Sequence, residues 1–130
     1  RDAVWNRGAY LVRHLGHCGE CHTPRNVLGG VDRSRELAGN PDGPEGKKIP
    51  NITQDKTAGI GRWSVDEIEF LLETGLLPDG DFAGSLMSDV IDDNTGKLTA
   101  SDREAIATYL KSLGPAEPQG PGAGGNERLP

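Results

Sequence analysis

Residues 16–26 read GHCGECHTPRN, and Cys18 and Cys21 within them are the only cysteines of the 130-residue chain. Several chemistries use two cysteines at this spacing. A thioredoxin-like dithiol places C-x-x-C after a strand in a βαβ setting. Here the preceding residues have a helical period instead, with Val4, Gly8, Leu11, Val12 and Leu15 on one stripe, and the dithiol leaves His22 without a use. A structural zinc site wants four Cys or His ligands. Cys18, Cys21, His14, His17 and His22 all fall within nine residues, a local knot that leaves the rest of the chain unexplained. A plain Cys18–Cys21 disulfide ignores the histidine too.

The remaining chemistry is a covalently attached haem. Two thiols three positions apart on a helical turn can reach the two vinyl groups of one porphyrin, and the next side chain then points its imidazole at the iron. C-x-x-C-H is the attachment signature. On this reading Cys18 and Cys21 form thioethers and His22 is the proximal ligand. Composition agrees, because only 34% of the residues are apolar and 5% aromatic, against 19 glycines and 9 prolines. So poor a core suits a chain in which a bound group supplies apolar volume.

Charge and hydropathy narrow the partners. Lys and Arg number 14 against 20 acids, for a net charge of -6 and a pI near 5.0, whereas nucleic acid binding needs a basic face. Nucleic acid is therefore excluded and a protein partner expected. No stretch of 18 apolar residues occurs, so no transmembrane segment is expected in this chain.

The period predicts helices in three places, joined by long loops. The first spans residues 2–15 with Asp2 as N-cap. From Thr23 to Gly61 the pattern dissolves into a Gly-rich stretch, which in a small domain suggests a segment wrapping a ligand. Ser64-Val65-Asp66-Glu67 has the form of a capping box. It opens a second helix with Ile68, Leu71, Leu72 and Leu76 on its stripe, ended by Pro78-Asp79-Gly80. A loop from Asp79 to Leu98 follows, and Thr99 caps a last helix lined by Ile106, Tyr109, Leu110 and Leu113. The expected organisation is one all-α domain over residues 1–114 and a flexible Pro/Gly-rich tail over 115–130.

The second axial position needs a donor from elsewhere in the chain. Met87 is the sole methionine; a lone Met is ordinarily core filler, but this one lies in a Gly-rich loop far in sequence from Cys18. His14 and His17 are the competing donors, tethered next to the attachment site on the proximal side. The acidic run Asp92-Asp93-Asn94-Thr95-Gly96 is not a calcium loop, since counting from Asp92 puts Lys97 where the invariant Gly belongs and Arg103 where the bidentate Glu belongs. It reads as a solvated turn.

Together these features resemble the class I cytochromes c. The resemblance covers residues 2–113: Gly8 and Tyr10 ahead of CGECH, Pro50-Asn51-Ile52, Trp63 just before a helix, Met87 in a later loop, and Tyr109-Leu110 in the last helix. The stretches PNITQDKTAGIGRWS and LTASDREAIATYLKSL are similar to the cytochrome domains that serve bacterial dehydrogenases for alcohols and sugars. The resemblance implies three main helices wrapped around one haem c, with His22 and Met87 as axial ligands. It further implies that the Pro50 carbonyl accepts from Nδ1 of His22, that Trp63 donates to a haem propionate, and that Asn51 and Thr53 add donors to the same carboxylates. Gly8 would allow a close crossing of the first and last helices, with Tyr10, Tyr109 and Leu110 around it. The implied function is electron transfer, not catalysis, from a donor dehydrogenase to an acceptor oxidase or another cytochrome. It would take place in the periplasm, where a partner can hold the protein to the inner membrane. The competing reading is a haem oxidoreductase or a gas-binding protein with an open sixth position. The interval from His22 to Pro50 is longer than in compact members of the family, which suggests a separate role for that loop.

Overall fold

The computed structural model describes residues 2–41, 43 and 46–116; the expected tail from residue 117 onward lies outside them. Among the described residues the chain is helical, with no strand beyond isolated bridging pairs. Five α-helices follow in order: α1 (Ala3–Tyr10), α2 (Cys18–His22), α3 (Val65–Thr74), α4 (Ser85–Asp93) and α5 (Ala100–Ser112). They belong to two compact units, each assembled from separate stretches of sequence. Among the described residues, the first holds 2–16 and 63–111, and the second holds those of 17–62 together with 112–116.

Capping residues set the helix starts in the first unit. Asp2 accepts from the N–H of Trp5 at 2.8 Å, Ser64 and Glu67 complete a reciprocal capping box, and Thr99 Oγ1 accepts from the N–H of Asp102. Each satisfies an amide that the helix itself leaves unpaired.

Three boundaries differ from the sequence expectation. The first helix does not run evenly to Leu15. It passes into a π turn over Leu11–Leu15, closed by the Gly16 N–H on the Leu11 carbonyl at 2.6 Å. The wider turn keeps Leu11 and Val12 buried and turns Leu15 outward. Helix α3 stops at Gly75, whose left-handed φ of 83° ends the helix while its N–H returns to Leu71 at 2.8 Å. Glycine takes this conformation without a Cβ penalty, so Leu76 leaves the helical stripe and pairs with Phe82 in an isolated bridge. The expected loop over 79–98 contains the nine-residue helix α4, a fourth helix nearly as long as α3. Its Ile91 is buried, and the apolar spacing of Leu86, Val90 and Ile91 explains the helix once Gly80 and Gly84 are placed outside it.

The crossing of α1 and α5 forms the densest contact of the first unit. A Cβ on Gly8 would collide with the backbone carbonyl of Ala105 and come within 2.7 Å of the Tyr109 Cβ. Tyr109, 2% exposed, meets Trp5 edge to face with ring centroids 5.1 Å apart. Trp5 therefore takes the place expected for Tyr10, which is half exposed and lies beneath the Arg7 guanidinium. Arg7 also forms a two-pronged pair with Asp102, at 2.9 and 3.1 Å. Near the start of α5 the buried Arg103 gathers the carbonyls of Thr95, Gly96 and Leu98 with one nitrogen, Nη1. Thr95 in turn donates to the Leu72 carbonyl at 2.7 Å, tying the turn after α4 to α3.

In the second unit the long segment between His22 and Trp63 is irregular but well bonded. Asp32 caps a 3-10 turn over Arg33–Arg35 and holds Arg35 at 2.6 Å. Bridging pairs join Arg25 to Val31 and Asn40 to Ile49. Leu37 is buried in a left-handed conformation, φ 64°. Its N–H donates to Thr23 Oγ1 and its carbonyl accepts from Ile52, both at 2.9 Å.

Two outcomes follow. Gly8→Ala should destabilise the protein by about 1–3 kcal/mol or more, because the obstructing atoms are backbone and cannot swing aside. Gly30→Ala, which meets only the Asn26 side chain at ordinary contact distance, should cost less than about 0.5 kcal/mol; denaturant titration compares the two. The second outcome depends on pH. The Arg7 guanidinium holds the Asp102 carboxyl below its ordinary value, so the pair contributes stability above the usual carboxylate pKa and loses it as pH falls through the lowered one. Asp102→Asn should therefore be less stable than the parent near neutrality, and the difference should shrink as pH falls below the ordinary carboxylate range and disappear once it passes the lowered value. A stability difference that persists in acid would assign the effect to packing.

Candidate functional site

Helix α2 begins abruptly. His17 takes a left-handed conformation, φ 51°, and the backbone turns there into the five residues CGECH. Cys18 and Cys21 stand one helical turn apart and so project on the same side of α2. Both are half-buried free thiols. Burial pushes the Cys18 thiol up to about 11, so it is protonated at neutral pH and lacks the thiolate character of a poised redox cysteine.

His22 closes α2 and is 8% exposed. Its Nδ1 lies 2.9 Å from the Pro50 carbonyl oxygen. A carbonyl only accepts, so Nδ1 carries the hydrogen and Nε2 keeps a free lone pair. Burial lowers the pKa of the ring below its ordinary value, and the Pro50 carbonyl opposes this in part. The result is a neutral imidazole in one tautomer with its coordinating nitrogen defined, the arrangement that orients histidine ligands in metal sites. The backbone of His22 is fixed as well, its carbonyl accepting from Gly39 at 2.6 Å.

The position of Pro50 rests on its neighbours. Asn40 and Ile49 exchange backbone hydrogen bonds at 2.9 and 2.8 Å immediately before it. After it, buried Asn51 accepts from both the N–H and the hydroxyl of Thr53, and its Nδ2 donates to the Ala116 carbonyl at 2.7 Å. The Ala116 N–H donates back to Thr53 Oγ1 at 3.1 Å. Asn51 and Thr53 thus spend their hydrogen-bonding groups on the chain itself. The next side chain, Gln54, has an Nε2 that is buried without a hydrogen-bond partner among the described residues. Sequence reasoning missed Gln54 and the buried Thr23. Thr23 directly follows the motif, but nothing in its spacing marks Leu37 as its partner.

Two expected site residues belong to the first unit. Trp63 is half-buried just before the Ser64 cap, and its carbonyl accepts from Lys111 Nζ at 2.8 Å. Met87 is half-buried in the first turn of α4, so it sits on a helix where the sequence suggests a loop. His14, in the π turn, and His17 are both exposed. Among the described residues no three His, Cys, Asp or Glu side chains converge as a metal site, and the zinc reading gains no support.

Known proteins resemble this chain at the level of sequence. No family model matches it. Over 108 residues it is 55% identical to a diheme cytochrome c-type protein of Cereibacter sphaeroides, covering 82% of this chain and 34% of that protein. It is 44% identical to the fructose dehydrogenase cytochrome subunit of Gluconobacter japonicus, over 84% of this chain and 22% of that one. It is 40% identical to the gluconate 2-dehydrogenase cytochrome c subunit of Pantoea cypripedii, over 87% and 27% respectively. The chain thus spans about a third or less of the length of these relatives. It resembles a cytochrome c of the kind found in dehydrogenase subunits, and its all-α architecture agrees with that likeness. The donor set fits a covalently held haem: two thiols on one side of a helical turn, a neutral buried imidazole with Nε2 available, and an orphaned buried amide donor a few residues beyond Pro50.

Asn51→Ala should leave the Thr53 N–H without its partner and the Ala116 carbonyl with only the Thr53 hydroxyl at 3.3 Å, and cost about 1–3 kcal/mol. Amide exchange at Thr53 should accelerate in the same variant. Unchanged exchange would show that Asn51 does not hold the segment around Pro50.

Proposed function

We propose that this chain is a single-haem c-type electron carrier with His22 and Met87 as axial ligands. The observation that carries the reading is the buried, neutral His22, locked by the Pro50 carbonyl at 2.9 Å and set one residue after a pair of free thiols. When bound, haem c supplies an iron that changes oxidation state by one electron. Cys18 and Cys21 would hold the group as thioethers. His22 would ligate through Nε2, its basicity raised by the Pro50 carbonyl. Met87 would fill the opposite position, a choice of soft donor that raises the reduction potential. Trp63 Nε1, a donor only, would pair with a propionate. Asn51 and Thr53 would act mainly by fixing Pro50, since their groups already bind Ala116.

Ligation by both His22 and Met87 would leave the iron no open position for a substrate, which favours transfer over catalysis. The names of the relatives support a dehydrogenase as electron donor; an oxidase or another cytochrome would be the acceptor. Covalent haem attachment and such partners support work on the periplasmic face, where a partner subunit can hold the chain at the membrane. No helix among the described residues is long and apolar enough to cross a membrane. The sequence has one C-x-x-C-H motif, so this stretch takes one haem even where a longer relative is named diheme.

Optical spectroscopy of the haem-loaded protein tests the ligand set. The ferric form should show the weak near-infrared band of methionine sulfur on iron, and Met87→Ala should abolish it and lower the reduction potential. His14→Ala and His17→Ala should leave both nearly unchanged. A bis-imidazole spectrum in the parent would replace Met87 by a histidine, and a five-coordinate one would favour the gas-binding or oxidoreductase reading.

A further inference from the structure

The charge of this chain is unevenly distributed. Between Arg62 and Lys97 the sequence carries nine Asp and Glu and no Lys, Arg or His. That stretch contains α3, the turn after it and α4, all within the first unit. Its carboxylates exceed the net charge of the whole chain, -6.

In the middle of this acidic stretch is an apolar hollow of about 300 Å³, lined by Asp66, Glu67, Phe70, Leu76, Leu77 and Pro78. Phe82 is outside the lining but next to it in the fold, its backbone paired with that of Leu76 in an isolated bridge. The two phenylalanines are not core residues: Phe70 is 48% exposed and Phe82 68%. Aromatic side chains left in water beside a formed hollow mark contact surfaces. The backbone beneath them is fixed. Asp79 accepts from the Asp81 N–H and Asp81 from the Phe82 N–H, both at 2.9 Å, and Leu77 and Asp81 are joined at 2.8 Å.

The rim decides what can cover the hollow. Asp66, Glu67, Asp79 and Asp81 form no salt bridge among the described residues, while Glu73 meets Arg103 only at 3.9 Å. On the next face of α3 carboxylates crowd one another. Burial first, then Glu104 and Asp66, raise the pKa of Glu69 above its ordinary value. Such a field repels anionic lipid and nucleic acid and attracts a cationic surface.

We propose that the Phe70–Phe82 hollow is the docking surface for a protein partner whose own contact face carries an apolar centre ringed by Lys and Arg. The proposal deepens the electron-carrier reading by assigning the face that the partner meets, and it does not depend on which residue ligates the iron. Apolar contact supplies affinity at the centre, and the carboxylates steer encounter and fall off with salt over about 8 Å at physiological ionic strength.

The test uses the haem-loaded protein in its diamagnetic ferrous state, with amide chemical shifts followed by NMR. The probes are three capped hexapeptides: Lys-Lys-Leu-Phe-Lys-Lys, Lys-Lys-Gly-Ser-Lys-Lys and Glu-Glu-Leu-Phe-Glu-Glu. The first should shift the amides of Phe70, Leu76, Leu77 and Phe82, with saturation lost as salt is raised. Phe82→Ser, at an exposed position that the fold does not need, should remove those shifts, and Asp66→Lys should weaken them. The proposal is overturned if the Gly-Ser peptide gives the same shifts, which would mean diffuse charge attraction, or if the acidic peptide binds equally, which would remove the role of the rim. Shifts elsewhere, or none, overturn it as well. Localised shifts in a protein whose spectrum is unchanged by Met87→Ala would uphold the docking surface while the proposed ligation fails.

Discussion

The hydrogen bond between buried His22 and the Pro50 carbonyl is the constraint on which the second unit depends. It joins residues 28 positions apart and fixes a ring that would otherwise be buried with an unpaired donor, at a cost of about 1–3 kcal/mol. A carbonyl can serve only if its own backbone is held, which explains the investment around it. The Asn40–Ile49 pair positions Pro50 from one side and the Asn51–Thr53–Ala116 network from the other. Gly39 grips the His22 carbonyl, and Thr23 holds Leu37. Each of these contacts limits the rotation or displacement of one imidazole.

This scheme also explains how so apolar-poor a chain holds an irregular segment of nearly forty residues. Side chains of Asn, Asp and Thr close turns onto nearby amides, as Asn26, Asp32 and Asp55 do. Backbone groups that would be satisfied by helix or sheet are satisfied by these short loops instead. The high glycine and proline content is then compatible with order.

Local signals made much of the fold legible in the sequence. The caps at Asp2, Ser64 and Thr99 act within a single turn, so their residues could be read directly, whereas the close approach at Gly8 was legible only through the resemblance. The misread boundaries arise where a local choice overrides periodicity. Leu76 continues the α3 stripe, but Gly75 adopts the left-handed conformation before it. The glycines at 80 and 84 disguise the helix around Met87. Long-range pairings were harder still: Trp5 packs on Tyr109 where Tyr10 was the visible aromatic, and Ala116, 65 residues from Asn51, has no side chain that could announce its role. For the site, C-x-x-C-H and the Pro-Asn-Ile stretch were readable because resemblance supplied their relation. Gln54 and Thr23 carried no such mark.

Arg103 bears on how the chain can change in length. Its Nη1 takes three carbonyls from a stretch of only four residues, 95–98, and Thr95 pins the same stretch to α3. One added residue there would move at least one carbonyl out of reach of the Arg103 guanidinium. The turn at residues 26–30 is different: Val27 and Leu28 are almost wholly exposed at its tip, and a loop of that kind absorbs insertions at small entropic cost. Length variation among descendants of this chain should therefore accumulate around Val27 and be absent between α4 and α5.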